Sequence, residues 1–245
     1  SPFTDARVRR ALSLAIDRER LVRATLGRMG EPAATMVRPG TGGYTGVALP
    51  RFDPEEAKRL LAAAGFAGGT GLPKIELTLN GNAGRVLTIG EVIQQMWTEH
   101  LGVKAELVPL EFKVYSGLAQ SKAIQALVEN WVYDVDDPRD LLQILVTGDP
   151  NNSSGWSDPE YDAAHHAADA TTDFVPRQDA FNRMEAMLER EAPRVPLFFT
   201  NQSYLVHPTV RGWRDNSLHV IDWRELWLEP KDQRAKAPVA KASGL

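Results

Sequence analysis

Apolar residues recur along this chain with two different periods, and each period predicts one type of secondary structure. A spacing of three and four residues, which places apolar side chains on one face of a helix, runs through residues 6–16, 18–26, 54–64, 86–101 and 176–190. Strict alternation, which gives a strand one buried face, runs through residues 74–80 and 103–110. The chain therefore combines helices with strands.

The order of the central elements predicts the fold class. A strand at 74–80, a helix at 86–101 and a strand at 103–110 form a strand–helix–strand unit, most simply a right-handed parallel crossover. A helix at 112–120 and an apolar strand that begins at residue 126 follow. This β-α-β-α-β order predicts an α/β protein with a mixed sheet flanked by helices.

The remaining segments give weaker patterns. Residues 30–53 are rich in Gly and Pro without periodicity, which predicts a long irregular loop of the kind that is usually functional. Beyond residue 138 we expect helices at 138–146 and 160–170, and the short strands that we expect lie at 195–200, 203–206 and 218–223. Residues 231–245 have no apolar periodicity and predict a disordered tail, which leaves residues 1–230 as the folded part.

One stretch, ALVENWVYDVDDP at residues 126–138, ends its predicted strand in three carboxylates. If the strand continues, alternation places Trp131 and Tyr133 on one face and Val132 and Asp134 on the other. Aromatic rings beside an acidic group can hold a cation against an apolar surface, although many acids at the ends of strands are only solvated. The residues alone leave both interpretations of Asp134 open.

The other two acids of this stretch have simpler interpretations. Asp137 precedes Pro138 at the start of a predicted helix, and Asp is a preferred N-cap residue, so we expect it to cap that helix. We expect Asp136 to be solvated.

Composition excludes several classes of function. The net charge is −4 and the sequence pI is about 5.8, and no stretch packs Lys and Arg between aromatic residues, so no nucleic-acid surface is predicted. No run of 18 apolar residues predicts a membrane span. The absence of cysteine excludes disulfides, thiolate catalysis and thiolate metal ligands.

Catalytic and metal-binding motifs are equally absent. The sequence contains no G-x-S-x-G elbow, no P-loop, no H-E-x-x-H and no G-x-G-x-x-G. His165 and His166 are adjacent on a predicted helix and cannot share a metal as residues four apart could, and we expect all five histidines at the surface. A hydrolase that paired Asp134 with a second acid would need two carboxyls about 5–9 Å apart, which the sequence does not show. No enzyme activity, cofactor or metal site is predicted.

Several blocks, taken in their order and spacing, carry a resemblance to a known family. They are PFTDARVRRALSLAIDRERLV (2–22), GEPA (30–33) followed by Tyr44, FDPEEAKRLLAAAGF (52–66), IGEVIQQMWTEHLGVKAELVPLEFKVY (89–115), WVYDVDDPRDLL (131–142), NNSSGWSDPEYD (151–162) and AMLEREAPRVPLFF (186–199). Over roughly residues 1–230 the chain resembles the C-terminal lobe of a family 5 extracellular solute-binding protein, the oligopeptide- and dipeptide-binding class that serves ABC importers.

The resemblance implies a fold and a role. The fold is one lobe of a two-lobed type II periplasmic-binding-protein-like fold, which encloses a ligand between its lobes, and the N-terminal lobe would precede Ser1. The role is the substrate-binding component of an ABC importer on the periplasmic or extracellular face of a bacterial membrane. Its partners would be a peptide or similar small solute, the N-terminal lobe and a membrane permease. Such lobes also occur fused to DNA-binding domains, so the solute-sensing lobe of a transcriptional regulator is the alternative.

The resemblance also assigns roles within the acidic stretch. It places Asp134 where peptide-binding relatives hold the α-ammonium group of the ligand, which a carboxylate does through a charge-assisted hydrogen bond. It places the backbone of Asn130, Trp131 and Val132 where an extended peptide adds as a strand, a mode of binding that ignores side-chain identity. Trp131 matches a family tryptophan beside the site, whereas Val132 and Tyr133 stand where the family varies. These five residues are the expected ligand-binding residues.

Overall fold

In the computed structural model, residues 1–50, 52–82, 84–216, 218 and 220–230 are described. They fall into two units, Ser1–Thr200 and the described part of Asn201–Leu245. The tail predicted at residues 231–245 lies outside the described residues, and the prediction that residues 1–230 form one lobe stays a prediction.

The described helices and strands alternate along most of the first unit. The helices are α1 (Ala6–Leu14), α2 (Arg18–Thr25), α3 (Pro54–Ala63), α4 (Gly84–Leu101), α5 (Phe112–Gln120), α6 (Pro138–Leu142), α7 (Pro159–Asp169) and α8 (Phe174–Glu191). The strands are β1 (Gly30–Pro32), β2 (Ile75–Asn80), β3 (Ala105–Leu110), β4 (Ala126–Leu127), β5 (Phe198–Thr200), β6 (Val210–Arg211) and β7 (Trp227–Leu228). None of these helices is both long enough and apolar enough to cross a lipid bilayer.

Three helices begin with the same dipeptide, Asp-Pro. The caps of α3, α6 and α7 are Asp53, Asp137 and Asp158, and each carboxylate accepts a backbone N–H from the first turn of its helix. The proline that follows each cap occupies a position where no intrahelical N–H is needed. The prediction that Asp137 caps a helix is therefore confirmed.

The first unit is built on a parallel sheet. β2 lies between β3 and β4 and is parallel to both, with Leu77 opposite Leu107 on one side and opposite Ala126 on the other. This confirms the α/β class and the parallel strand–helix–strand unit, and two antiparallel pairs, β1 with β5 and β6 with β7, complete the sheets of the described residues.

Two hydrophobic cores stabilise the first unit. The first packs α1, α3 and α4 against the sheet, and the indole N–H of Trp97 in α4 donates to the Leu12 carbonyl of α1 at 2.9 Å. The second gathers α6, α7 and α8 around fully buried Tyr161 and Phe181. The Tyr161 hydroxyl donates to the Leu142 carbonyl at 2.7 Å, which satisfies a polar group that would be costly to bury alone.

Several predicted strands differ from the observed ones. The strand that begins at residue 126 ends at Leu127, where its pairing with β2 stops although β2 itself continues to Asn80. Residues 203–206, 218 and 220–222 are not strands, and the pairing in this region joins Val210–Arg211 to Trp227–Leu228 instead. The predicted loop at 30–53 contains β1, which pairs with β5. β1 and β5 have three residues each, which is too short for an alternating pattern of apolar residues to be recognised in the sequence.

Candidate functional site

The chain leaves the sheet at Val128, whose backbone groups are both occupied. Its N–H donates to the Thr78 carbonyl at 3.0 Å, and its carbonyl accepts the Tyr115 hydroxyl at 2.8 Å. We call residues 130–132 the edge segment. Within the described part of the chain, its backbone N–H and C=O groups form no hydrogen bond. They are therefore available to a ligand.

The edge segment and the two residues after it alternate in exposure, as the sequence predicts. Trp131 and Tyr133 are half-buried and pack against the second core, whereas Val132 is 63% exposed and Asp134 is exposed. The prediction that they continue the strand is wrong, because in the described residues the pairing of β4 with β2 ends at Leu127. The segment keeps the two faces of a strand without strand pairing.

Tyr133 attaches this stretch to the loop that precedes α3. Its hydroxyl accepts the backbone N–H of Arg38 at 3.1 Å and the hydroxyl of Thr41 at 3.4 Å. Burial raises the pKa of Tyr133, so the phenol stays neutral and holds the loop as a hydrogen-bonding group.

Asp134 presents an exposed carboxylate beside the open edge. In the described residues this carboxylate forms no hydrogen bond and no ion pair, while the backbone N–H of Asp134 donates to Oδ2 of Asp140 at 2.9 Å. Asp140 is buried at the start of α6, and burial raises its pKa, with the negative charges of Asp134 and Asp137 acting in the same direction. A buried carboxylate thus fixes the backbone from which the exposed one projects.

The two neighbouring acids have other partners. Asp137, besides capping α6, accepts both outer nitrogens of Arg177 at 2.7 and 3.0 Å. Asp136 is exposed, as expected, and its Oδ1 also accepts the backbone N–H of Gly42 at 2.9 Å. Of the three acids at residues 134, 136 and 137, Asp134 is the one whose carboxylate has no protein partner in the described residues.

A buried glutamate that the sequence interpretation missed fixes the same loop from the other side. Glu185 of α8 is 1% exposed, and its carboxylate accepts the backbone N–H groups of Met36 and Val37 at 2.9 and 2.8 Å. Burial raises its pKa to about 7, against the lowering effect of the two N–H groups. The available signal was an acidic residue within the apolar stripe of α8, between Met184 and Leu188.

One histidine departs from the expected surface position. His165 is 6% exposed, with its Nδ1 at 3.7 Å from a carboxylate oxygen of Asp169. Burial lowers the pKa of His165 and favours the neutral ring. Within the described ranges, no group of His, Asp and Glu side chains is arranged to hold a metal ion.

These contacts define what the site can do chemically. An unpaired edge can form main-chain hydrogen bonds with any extended chain, and an exposed carboxylate can bind a cation. Trp131 and Tyr133 pack the edge segment against the second core, and Val132 on the opposite face exposes apolar surface to solvent. The geometry fits the recognition of an extended, positively charged solute.

Comparison with known proteins finds relatives that are named as peptide-binding proteins. The chain is 29% identical to the periplasmic murein peptide-binding protein MppA of Escherichia coli over 222 residues, which cover 88% of this chain and 41% of the relative. It is 29% identical to the dipeptide-binding protein DppE of Bacillus subtilis, over 90% of this chain and 42% of the relative. The solved structure of the E. coli murein tripeptide binding protein MppA superposes with a TM-score of 0.84 at 28% identity, covering 93% of this chain and 46% of that one.

These relatives are longer than the chain, which spans about two-fifths of the length of the curated relatives that it matches. Residues 1–153 match the sequence profile of the middle region of one family, and this match covers more than half of the chain. The chain belongs to the bacterial extracellular solute-binding proteins, family 5.

Proposed function

We propose that this chain is the lobe of a substrate-binding protein that captures peptides or similar small solutes and delivers them to the permease of an ABC importer. The main support for this proposal is the edge segment. Its backbone groups form no hydrogen bond within the described residues, and it ends beside the exposed carboxylate of Asp134. The names of relatives, a murein peptide-binding protein and a dipeptide-binding protein, support peptides as the class of solute.

The backbone of the edge segment provides affinity without sequence selectivity. A peptide that lies along Asn130, Trp131 and Val132 would satisfy its own N–H and C=O groups and those of the lobe together. Trp131 and Tyr133 anchor one face of this stretch on the second core, while the other face stays open to ligands of different sequence.

Asp134 provides the charge that selects a free amino terminus. A ligand ammonium placed between two lobes is removed from water and needs an anionic partner, and a charge-assisted hydrogen bond is about twice as strong as a neutral one. Asp134 meets this need, because no cation within the described residues neutralises its carboxylate.

Capture would require a second lobe and would take place outside the cytoplasm. A single lobe gives the ligand one wall, whereas closure of two lobes around a hinge removes it from water. We therefore expect the isolated lobe to bind peptides weakly. The name of one relative, a periplasmic murein peptide-binding protein, supports placing the full-length protein on the periplasmic or extracellular face of a bacterial membrane.

Mass spectrometry of the solute that copurifies with the full-length protein tests this proposal. The expected solute is a peptide with a free α-amino group, and calorimetry should then give micromolar or tighter binding to the full-length protein with much weaker binding to the 245-residue chain. A copurified solute without any free amine would contradict the role of Asp134, and micromolar binding by the isolated chain would contradict the need for two lobes.

A further inference from the structure

Arg194 lies between α8 and β5 and reaches the residue that precedes the edge segment. Its Nη2 lies 2.9 Å from Oε2 of Glu129, 3.1 Å from Oγ of Ser153 and 3.4 Å from the Asn151 carbonyl. The Ser153 hydroxyl also donates to Glu129, at 3.5 Å. One guanidinium nitrogen thus joins three separate segments of the chain.

The ion pair between Arg194 and Glu129 is partly withdrawn from water. The side chains of Arg194 and Glu129 are 15% and 24% exposed. Burial lowers the pKa of Arg194 and the charge of Glu129 opposes this shift, and arginine stays protonated in proteins. Because water screens a partly buried pair less than an exposed one, its geometry is better defined than that of a surface ion pair.

The chain that carries Arg194 is itself fixed. The Pro196 carbonyl accepts Nε of buried Arg18 at 2.7 Å, and the Leu197 carbonyl accepts the Ala33 N–H at 3.2 Å. Pro193 and Pro196 further restrict the backbone on both sides of Arg194, because the ring of a proline fixes one of its two backbone angles. The guanidinium therefore projects from a rigid base.

Glu129 directly follows the last residue of this stretch whose backbone is hydrogen-bonded to the sheet. Val128, one residue earlier, has its N–H and carbonyl bound by Thr78 and Tyr115, while Asn130, one residue later, begins the edge segment. The side chain of Glu129 is thus the last attachment before the backbone groups that are free to meet a ligand.

We propose that Arg194 is a positioning residue for the ligand site: by holding Glu129, it keeps the edge segment in one conformation before a ligand arrives. A preformed edge lowers the ordering cost of binding. Neutralising Glu129 also leaves Asp134 as the carboxylate that attracts the ligand. This inference rests on the proposed function for its consequence for binding, whereas its effect on the edge segment can be measured without a ligand.

Backbone ¹⁵N relaxation of the 245-residue chain tests the positioning role without a ligand. Order parameters of Asn130, Trp131 and Val132 should be about 0.85 in the original chain and fall below about 0.6 in Arg194→Met, while those of β2 stay unchanged. The matched control is Arg190→Met, which removes an arginine whose side chain is 55% exposed and pairs with the adjacent Glu191. It should leave the edge segment as rigid as before.

Two further variants keep the inference testable if Arg194→Met does not fold. Glu129→Gln retains a neutral acceptor for Arg194 and should loosen the edge segment to a smaller extent. Arg194→Lys retains the charge but not the planar guanidinium that reaches Ser153 and Asn151 together with Glu129, and should also loosen it. Unchanged order parameters in all the variants that fold would overturn the positioning role.

Peptide affinity of the full-length protein separates the two proposals. If the unaltered protein binds a tripeptide, Arg194→Met should weaken its Kd about tenfold, with Arg190→Met within about twofold. An unchanged Kd in Arg194→Met would overturn the positioning role and leave the proposed function intact. Failure of the unaltered protein to bind any tripeptide would overturn peptides as the solute in the proposed function, and the order parameters would still decide whether Arg194 holds the edge segment.

Discussion

The backbone N–H of Asp134 donates to Oδ2 of Asp140 at 2.9 Å, so an exposed carboxylate is attached to a buried one six residues later. The arrangement spans the turn between the edge segment and α6. It restrains the direction in which the Asp134 side chain leaves the backbone, since the amide of the same residue is fixed. A carboxylate that is restrained before a ligand arrives binds an ammonium group at a lower entropic cost.

We expect Asp140→Ala to destabilise the turn. The substitution removes the acceptor of the Asp134 N–H, which should lower the free energy of unfolding by about 1 kcal/mol. Asp140→Asn is the matched control, because it keeps one side-chain oxygen and removes a like charge near Asp134 and Asp137, so it should remain close to the original stability. Urea unfolding of both variants measures the difference, and equal losses would show that the hydrogen bond does not stabilise the turn.

Glu185 should make stability depend on pH. Its pKa is about 7 in the folded chain, against an ordinary value of 4.5, so the folded state binds the proton more tightly than the unfolded state. Its contribution is therefore fully present below about pH 4.5 and is lost as the pH rises through 7, a change on the order of 3 kcal/mol.

Glu185→Gln tests this dependence, because the amide cannot titrate. Urea unfolding at a series of pH values between 4.5 and 8 should show a smaller decrease in the free energy of unfolding for the variant than for the original chain. Identical slopes in the two chains would mean that Glu185 does not titrate in this range.

Gly42 should not tolerate a side chain. Its φ is +52°, and a Cβ would lie 2.8 Å from the Asp136 carbonyl oxygen and 3.2 Å from the Asp137 Cα, which are backbone atoms that cannot rotate away. Gly27 is the matched control, with a φ of +56° and no atom within 4 Å of the added Cβ. Both alanine variants carry the cost of a left-handed conformation, about 1–2 kcal/mol.

The difference between the two variants isolates the close contact. Gly42→Ala should destabilise the chain by about 1–3 kcal/mol more than Gly27→Ala, as measured by chemical unfolding. Equal destabilisation would show that the loop between β1 and α3 can move away from the acidic stretch at little cost.

The sequence predicted the elements that local patterns define. α4, β2 and β3 have long stripes or clear alternation, and their order was enough to give the parallel unit around β2. The cap at Asp137 was also predictable, because the preference of Asp for this position is local. The alternation of Trp131 and Val132 survived even though the strand did not, since burial against the second core imposes it.

The rest of the site depends on contacts between distant residues, which no local pattern records. Gly42 and Asp136 are 94 residues apart, and Val37 and Glu185 are 148 residues apart. The early end of β4 has the same origin, because it is set by where the pairing with β2 stops, and a sequence does not record the pairing between strands. No sequence pattern indicated a role for Arg194, because its partner Glu129 is distant in the sequence and only the fold brings the two side chains together.

The proposed partner of Asp134 is the α-ammonium group of a peptide. Asp134→Asn keeps the size of the side chain and removes its charge, and because the residue is exposed, stability should change by less than about 0.5 kcal/mol. Asp136→Asn is the matched control, two residues away and bonded to Gly42.

The most direct measurement is calorimetric titration of the full-length protein and these two variants with a tripeptide and its N-acetylated form. We expect Asp134→Asn to weaken the Kd of the free tripeptide by about 10–100-fold and to leave that of the acetylated form unchanged, with Asp136→Asn close to the original protein. An Asp134→Asn variant that binds the free tripeptide as tightly as the original protein would show that Asp134 does not bind the ammonium group.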